Sequence, residues 1–402
     1  MNSKRNSSNP LHIITSTVNI PYFLDTILKN AKKYNEKNFK IFVIGDLKTP
    51  PAAKKYCNEL CNKYNAFVKY LSVSDQEKLL KNYPKLIKFI PKNDNVRKMI
   101  GTIICYLDGC KNVLMIDDDN FAVEKHNLIY HHSKTGFIQN KITSIKTKNN
   151  WPNIAISMEE KYNIPFFPRG FPWSKRFENN KINLNKVAKK QIAVTGGLVL
   201  GDPDIDSVSR LFWPIRVTKI KKKFLPNFAL SRNNYSPFND QNTSISRDLI
   251  PIYYKPPAGG RNSDIWTSYF IEKILHSSKK DVVAFGEPLV NQIRNAHDYQ
   301  KDYELEKDHI RANEIFIKIL LKQNIKFTNY LNTAIALCIK CINEIKKTEY
   351  KRDYELKNPR HYQMISDSEK YKNFYKDKKY ILSYFQDYIR WLRIIKFYFF
   401  KN

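Results

Sequence analysis

The stretch "VLMIDDDNFAV", residues 113–123, sets the problem this chain poses. An apolar run leads straight into Asp117, Asp118 and Asp119. Such a run reads as a buried strand. Three like charges at its end repel one another and resist desolvation unless positive charge lies against them. Upstream, "LHIITSTVNI" (11–20), "FKIFVIGD" (39–46) and "AFVKYLSV" (66–73) are β-rich. Residues 21–35, 49–64 and "NVRKMIGTIICYLDGC" (95–110) carry helical periodicity, with Thr49 and Pro50 opening the second as helix starts prefer. Strands alternating with helices at these lengths predict an α/β fold with a parallel sheet. Ligands of such sheets bind beyond the carboxyl ends of the strands, where Asp46 and Asp117–Asp119 fall.

Downstream the pattern changes. "NIPFFPRGFPWSKRF" (163–177) has three prolines and predicts no regular element. Residues 189–212 hold a strand, the pair Gly196–Gly197 and a helix from 204. Residues 234–250 are polar and loop-like, 260–275 helical, and 281–306 begin as a strand and end as a loop. From 303 the chain is mostly helical. The expected division is therefore a catalytic domain at 1–302 and a helical region at 303–402, ending in a basic aromatic tail.

The chain has 402 residues, 42% of them apolar, with 69 Lys and Arg against 38 Asp and Glu, a formal charge of +31. That excess suits an anionic partner: nucleic acid, a membrane surface or an anionic small molecule. A coding bias toward Lys, Asn, Ile and Tyr explains it equally well. Zinc-finger, KH and RNP signals are absent, which argues against specific nucleic-acid binding. Of six cysteines only Cys338 and Cys341 form a CxxC, inside a helical pattern, so reduced buried thiols are expected rather than a zinc site. The polar start "MNSKRNSSNP" is no signal peptide, and no apolar stretch reaches membrane-spanning length. A cytoplasmic location follows as the expectation.

Three carboxylates at a strand end suggest a divalent metal holding an anionic ligand. A phosphatase would place a DxD pair near the start of its fold. Here the acids arrive after several strands, where a nucleotide-sugar transferase needs them.

Four segments in order carry a resemblance: "LMIDDDNFAV" (114–123), "PFFPRGFPWSKR" (165–176), "SPFNDQNTSISRDL" (236–249) and "GRNSDIWTSYF" (260–270). Over roughly residues 11–300 the chain resembles the reversibly glycosylated polypeptide family, which includes the plant UDP-arabinopyranose mutases. That family shows a DDD strand end, an "RGYPFS"-like motif, an Asn-containing segment before "DREL" and a "DDMW" helix start. The resemblance implies a GT-A fold, with a nucleotide-sugar-binding sheet flanked by helices. It also implies a nucleoside-diphosphate sugar and a divalent cation, Mn2+ or Mg2+. Arg169 matches the arginine that becomes glycosylated in the family. Departures are Trp173 and Lys175 after it, and Ser263 in place of the first acid of "DDMW".

Roles follow for individual residues. Asp117 and Asp119, two apart in an extended segment, face the same way and are the expected metal and nucleotide ligands. His297 is a candidate third metal ligand. Thr15, Thr17 and Asp46 would border the nucleotide, and Arg97 would meet a phosphate or clamp an acid. Arg169, on a proline-stiffened loop, is expected to hold the diphosphate or sugar. Gly196 and Gly197 would let backbone approach the sugar, and Asn242 would bond its hydroxyls. Asp264 is the general-base candidate, with Glu287 competing.

The expected reaction is glycosyl transfer to a saccharide or glycolipid acceptor, in surface polysaccharide or glycolipid synthesis. The alternatives are a nucleotide-sugar mutase and, in another class, a nucleic-acid-binding protein. Self-association into a homo-oligomer is a further expectation. The tail "YILSYFQDYIRWLRIIKFYFFKN" (380–402) would either hold the enzyme to an anionic membrane at the inner face of the cytoplasmic membrane, or pack onto the protein.

Overall fold

The computed structural model describes residues 10–176, 178, 181–279, 281–294, 298–349 and 367–400. Their strands, in chain order, are β1 Leu11–Thr17, β2 Phe39–Gly45, β3 Val68–Leu71, β4 Asn112–Ile116, β5 Asn120–Ala122, β6 Ile138–Lys146, β7 Met158–Glu160, β8 Asn183–Gly201, β9 Val217–Ile220, β10 Asn227–Leu230, β11 Asn242–Ser246 and β12 Asp281–Gln292.

The first half is the parallel sheet that the sequence predicts. It runs β3-β2-β1-β4, each pair parallel. Strands β1, β2 and β4 are almost wholly buried because helices cover both faces, which is why they read as continuous apolar runs. The helix Phe23–Lys33 buries Phe23, Leu24, Ile27, Leu28 and Ala31 against one face. The helix Lys98–Leu107 covers the other, close enough that a Cβ on Gly101 would meet Ile44 at 2.8 Å.

Beyond β4 the sheet turns antiparallel through β11 to β8. Strand β8 pairs with β6 on one side and β12 on the other, and β10 pairs with both β6 and β12. These four strands therefore close into a small barrel around Ile142, Ile192, Ala229 and Ala284. The result is an α/β fold with a helical C-terminal segment.

Two expectations change here. Residues 242–246 were read as loop and form β11, central in the sheet. The expected division at 302 falls inside the helix Tyr299–Lys322. The C-terminal helices belong to the same apolar core as the sheet, with Phe316, Leu337, Tyr384 and Trp391 clustered with Ile14, Met115 and Trp266.

The tail packs rather than lying free. In the helix Asp367–Phe399, Tyr384, Tyr388, Trp391, Leu392 and Ile395 are fully buried. The Trp391 ring stacks on Tyr254 at 4.7 Å between centroids, and its indole N–H donates to the Pro251 carbonyl at 3.0 Å. The Tyr388 hydroxyl donates to the Ile252 carbonyl at 2.5 Å. A membrane role for this apolar side is therefore replaced by packing. No helix among the described residues is long and apolar enough to cross a membrane.

Trp391→Ala is expected to destabilise the protein by about 3–5 kcal/mol, from lost burial and a cavity. The urea-unfolding midpoint measures it. A loss under about 1 kcal/mol would mean that the tail is not part of the fold's core.

Candidate active site

The carboxyl ends of β1 and β4 open onto a cleft of about 400 Å³. Asp117, Asp118 and Asp119 form one wall, each half-buried. Lys98, in the first turn of the helix after Arg97, lies against them. Its Nζ donates to Asp117 Oδ1 at 2.5 Å and lies 3.5 Å from Asp240 Oδ2. Asp240 is in turn held by Lys255 at 2.6 Å. Only 4% of the Lys98 side chain is exposed. Burial alone would lower its pKa, but the facing Asp117 and Asp240 carboxylates raise it, so the ammonium stays charged. Asp240, pushed up by burial, is pulled well below the usual carboxylate range by Lys255 and Lys98.

The other two acids have different partners. Asp118 accepts from the Thr17 hydroxyl at 2.7 Å, which ties it to the end of β1. Asp119 accepts from the neutral amides of Asn120 at 2.8 Å and Gln292 at 3.2 Å. Burial and then the charge of Asp117 push its pKa up to about 6.

Opposite lies the arginine loop. Arg169 Nε donates to Asp204 at 2.9 Å, Nη2 donates to Asp264 Oδ2 at 2.9 Å, and Nη1 donates to the Arg261 carbonyl. Asp204, pushed up by burial, is held low by Arg169 and Arg294. Burial pushes Asp264 up against the pull of Arg169. Gly170 has φ +77°, and a Cβ there would meet Ile265 at 2.2 Å, so only glycine fits. Its carbonyl accepts from the Tyr269 hydroxyl at 2.9 Å and from the Asn313 amide at 2.8 Å. Asn313 also accepts from the Trp266 indole at 3.0 Å. Helices 263–278 and 299–322 thus fix where the arginine stands.

The cleft gathers Asp117, Asp119, Arg169 and Asp264 of the expected residues. Thr17 touches it through Asp118. Asp46 sits half-buried past β2, where its carboxylate accepts from the Leu47 amide. Thr15 is buried within β1. His297 lies outside the described residues.

Three of the expected residues lie outside the cleft. Arg97 is buried at the carboxyl ends of β2 and β3, donating through Nε to Gln76 at 2.9 Å, and does not line the cleft, whereas its neighbour Lys98 does. Asn242 is fully buried and spends its amide inside the sheet, donating to the Pro288 carbonyl at 3.0 Å and facing His132 Nε2 at 2.9 Å. Glu287 lies away from the cleft, between His126 and His131, 3.0 Å from each. The backbone freedom of Gly197 serves Asn242 and Pro288, which a Cβ would meet at 2.1 and 2.5 Å.

The sequence reading missed Lys98, Asp204, Asp240, Lys255, Arg261, Gln292 and Arg294. Lys98 alone carried a legible signal, a single cation in an otherwise apolar helix next to the acidic strand. Among the described residues no cluster of three His, Cys, Asp or Glu side chains is gathered closely enough to hold a metal unaided.

Residues 261–364 match the family model of STELLO glycosyltransferases. No curated protein sequence matches the chain. Two solved structures resemble it at low identity. Glucosyl-3-phosphoglycerate synthase from Mycobacterium tuberculosis, in complex with phosphoglyceric acid, is 9% identical, with 77% of this chain and 80% of that one covered and a TM-score of 0.39. A mannosyltransferase from Pyrobaculum calidifontis, in complex with GDP-Man and Mn2+, is 6% identical, with 94% and 87% covered and a TM-score of 0.35. The family match falls on the helix that carries Asp264 and agrees with the expected enzyme class.

Lys98→Met is expected to cost about 3–5 kcal/mol, because it strands Asp240 and Asp117. Adding Asp117→Asn should recover part of that loss. A double-mutant cycle by chemical denaturation should show coupling of about 1 kcal/mol or more, and additive losses would refute the clamp.

Proposed function

We propose that the chain is a glycosyltransferase that moves a sugar from a nucleoside-diphosphate sugar to a saccharide or lipid-linked acceptor, assisted by Mn2+ or Mg2+. One observation carries the reading: the charge balance of the cleft. Six carboxylates (Asp117, Asp118, Asp119, Asp204, Asp240 and Asp264) face five cations (Lys98, Lys255, Arg169, Arg261 and Arg294). The formal balance is −1, and a site that is net negative repels a diphosphate. One divalent cation reverses the sign.

The residues fit such an ion. Mg2+ and Mn2+ take one or two carboxylates and fill the remaining positions with water and substrate phosphate oxygens. Asp119, whose bonds come from neutral amides, and the open side of Asp117 supply that pair. The bound ion would offset charge developing on the leaving diphosphate.

The remaining roles belong to the chain itself. Arg169 is committed to Asp204 and Asp264, so it orients Asp264 and fixes the loop. Arg261, paired with Asp302 at 2.8 Å and 3.5 Å from Glu306, is the more accessible cation, 31% exposed against 11% for Arg169, and is the better contact for the donor's phosphates. Asp264, aimed into the cleft by Arg169, remains the candidate base for the acceptor hydroxyl. A mutase that glycosylates Arg169 would first have to free its guanidinium from two carboxylates and a carbonyl. That supports transfer over the mutase reading. The four motifs shared with the reversibly glycosylated polypeptides are read here as kinship of fold and donor site.

Turnover of a panel of nucleotide sugars with saccharide and lipid-linked acceptors tests the proposal. Activity is expected with Mn2+ or Mg2+ and lost in EDTA; undiminished activity in excess EDTA would refute the metal role. Asp119→Asn should cut turnover by about 10²-fold or more. The same variant should unfold no earlier than the wild type at pH 7. A carboxyl whose folded pKa is raised from 3.8 to about 6 favours the folded state less once pH has risen through that range, and Asn removes the cost. Nucleotide affinity in the presence of metal should fall as pH drops below about 6, as protonation of Asp119 displaces the cation.

A further inference from the structure

The short helix Ser207–Phe212 ends in three consecutive large apolar residues left in solvent: Leu211 at 46% exposure, Phe212 at 71% and Trp213 at 53%. Single exposed apolar side chains are ordinary, but a run of three at a projecting turn is not. The chain then enters β9, which pairs antiparallel with β7, Glu159 opposite Lys219. At one end of this ribbon the Lys161 N–H donates to the Arg216 carbonyl at 2.8 Å, which brings the exposed Tyr162 beside the turn. At the other end Lys221 Nζ donates to the carbonyl of the exposed Ile156 at 2.9 Å.

The charge of the ribbon has one sign. Lys161, Arg216, Lys219, Lys221, Lys222 and Lys223 stand on it. Of its two carboxylates, Glu160 is turned inward, accepting from the Tyr162, Ile164 and Arg216 amides, and Glu159 is paired with Lys219 at 3.0 Å. The outward surface sets the aromatic turn beside Lys161 and Arg216 at one end of the ribbon, with Lys221, Lys222 and Lys223 at the other.

We propose that this ribbon is the face by which the protein docks on an anionic lipid bilayer. Phe212 and Trp213 enter the headgroup zone, where aromatic rings are favoured, and each neighbouring Lys or Arg adds roughly 1 kcal/mol through the surface potential. Charge complementarity and the aromatic tip together select the bilayer. The membrane contact expected of the C-terminal tail is thereby assigned to a different, exposed element.

Docking here has a consequence that rests on the transferase reading. A cavity of about 470 Å³ opens at Ile156, Glu159 and Lys221 of the same ribbon. Its inner wall shares Ala155, Met158 and Phe166 with a narrower recess that reaches Arg169, Asp204 and Gln241 of the cleft. A docked ribbon puts the mouth of that path at the lipid surface, where a lipid-linked acceptor would be found.

The test uses the full chain and vesicles, with no nucleotide sugar, so its outcome is independent of catalysis. Co-sedimentation with vesicles of phosphatidylglycerol and phosphatidylcholine at low salt should exceed that with phosphatidylcholine alone. Phe212→Ser with Trp213→Ser should weaken binding about tenfold or more while leaving the thermal melt unchanged. Lys222→Glu with Lys223→Glu should do the same and reduce the salt dependence. Wild-type tryptophan emission should shift to the blue on anionic vesicles and be quenched by brominated lipid, and Trp213→Phe should abolish both effects. Failure of the wild type to bind anionic vesicles would overturn the proposal, as would unchanged binding or quenching in the variants. A change of oligomeric state in the aromatic variant without vesicle binding would overturn it in favour of a second copy of the chain. Binding to duplex or single-stranded nucleic acid alone would overturn it in favour of that partner.

Discussion

The Lys98 ammonium, sealed between the end of β4 and the turn at Asn239–Gln241, is the contact on which the rest of the site depends. Three adjacent carboxylates cannot close a buried strand without it. Lys98 charges the space behind Asp117, and Lys255 does the same for Asp240. The chain Asp117–Lys98–Asp240–Lys255 crosses four separate segments of sequence. Removing any member leaves another charge buried and uncompensated, so the network specifies one arrangement of those segments. It also divides the labour among the three acids. Asp117 is neutralised from behind, Asp118 is tied to Thr17, and Asp119 is left with amide partners only and a pKa near 6. Among the described residues no cation holds Asp119 by a hydrogen bond, which is why the proposed function gives it the metal.

A second network holds the opposite wall, and it explains why the C-terminal helices are not an appendage. Arg169 can stand between Asp204 and Asp264 only because the Gly170 carbonyl is pinned by Tyr269 and Asn313. Asn313 belongs to the helix that begins at Tyr299, and Trp266, which donates to it, stacks on Phe316 at 4.6 Å. Tyr384 of the last helix meets Trp266 edge-on, and Trp391 closes over Tyr254, next to Lys255. Burial of these rings carries the energetic weight, and the position of the two site-facing segments is its result.

What was legible in the sequence follows from which strands are buried on both faces. Strands β1, β2 and β4 read as apolar runs, and the acids at the end of β4 located the cleft before any geometry was known. Strand β11, "NTSIS", is equally buried but polar, and it was read as loop. Its hydroxyls are satisfied across the sheet, where Ser244 bonds both Thr135 and His132, so polarity here marks internal bonding and not solvent. The same masking made Asn242 look like a sugar ligand. The exposed faces of β6 and β8, rich in Lys and Asn, blur their alternation, so the pairing of these two strands is not legible in the sequence. Arg97 and Lys98 are adjacent in sequence, and only the helix geometry decides which of them reaches the acids. Asp204, Arg261 and Arg294 come from three loops, and no local pattern could have brought them together.

Composition suggested an anionic partner, and the structure separates that suggestion into two. The cleft holds none of the positive excess, because its five cations face six carboxylates. Nearly all of these charges are spent on one another, and so cannot also serve to attract a distant ligand. The positive excess of the sequence therefore lies elsewhere than in the cleft. Surface charge spread evenly would give solubility and little else. On the ribbon of β7 and β9 it instead shares a face with an exposed aromatic turn, a combination that suits contact with something both apolar and anionic. The balanced cleft and the unbalanced surface are thus two separate devices. In the proposed function the first accepts a diphosphate with the help of an added cation, and in the proposed docking the second meets an anionic surface.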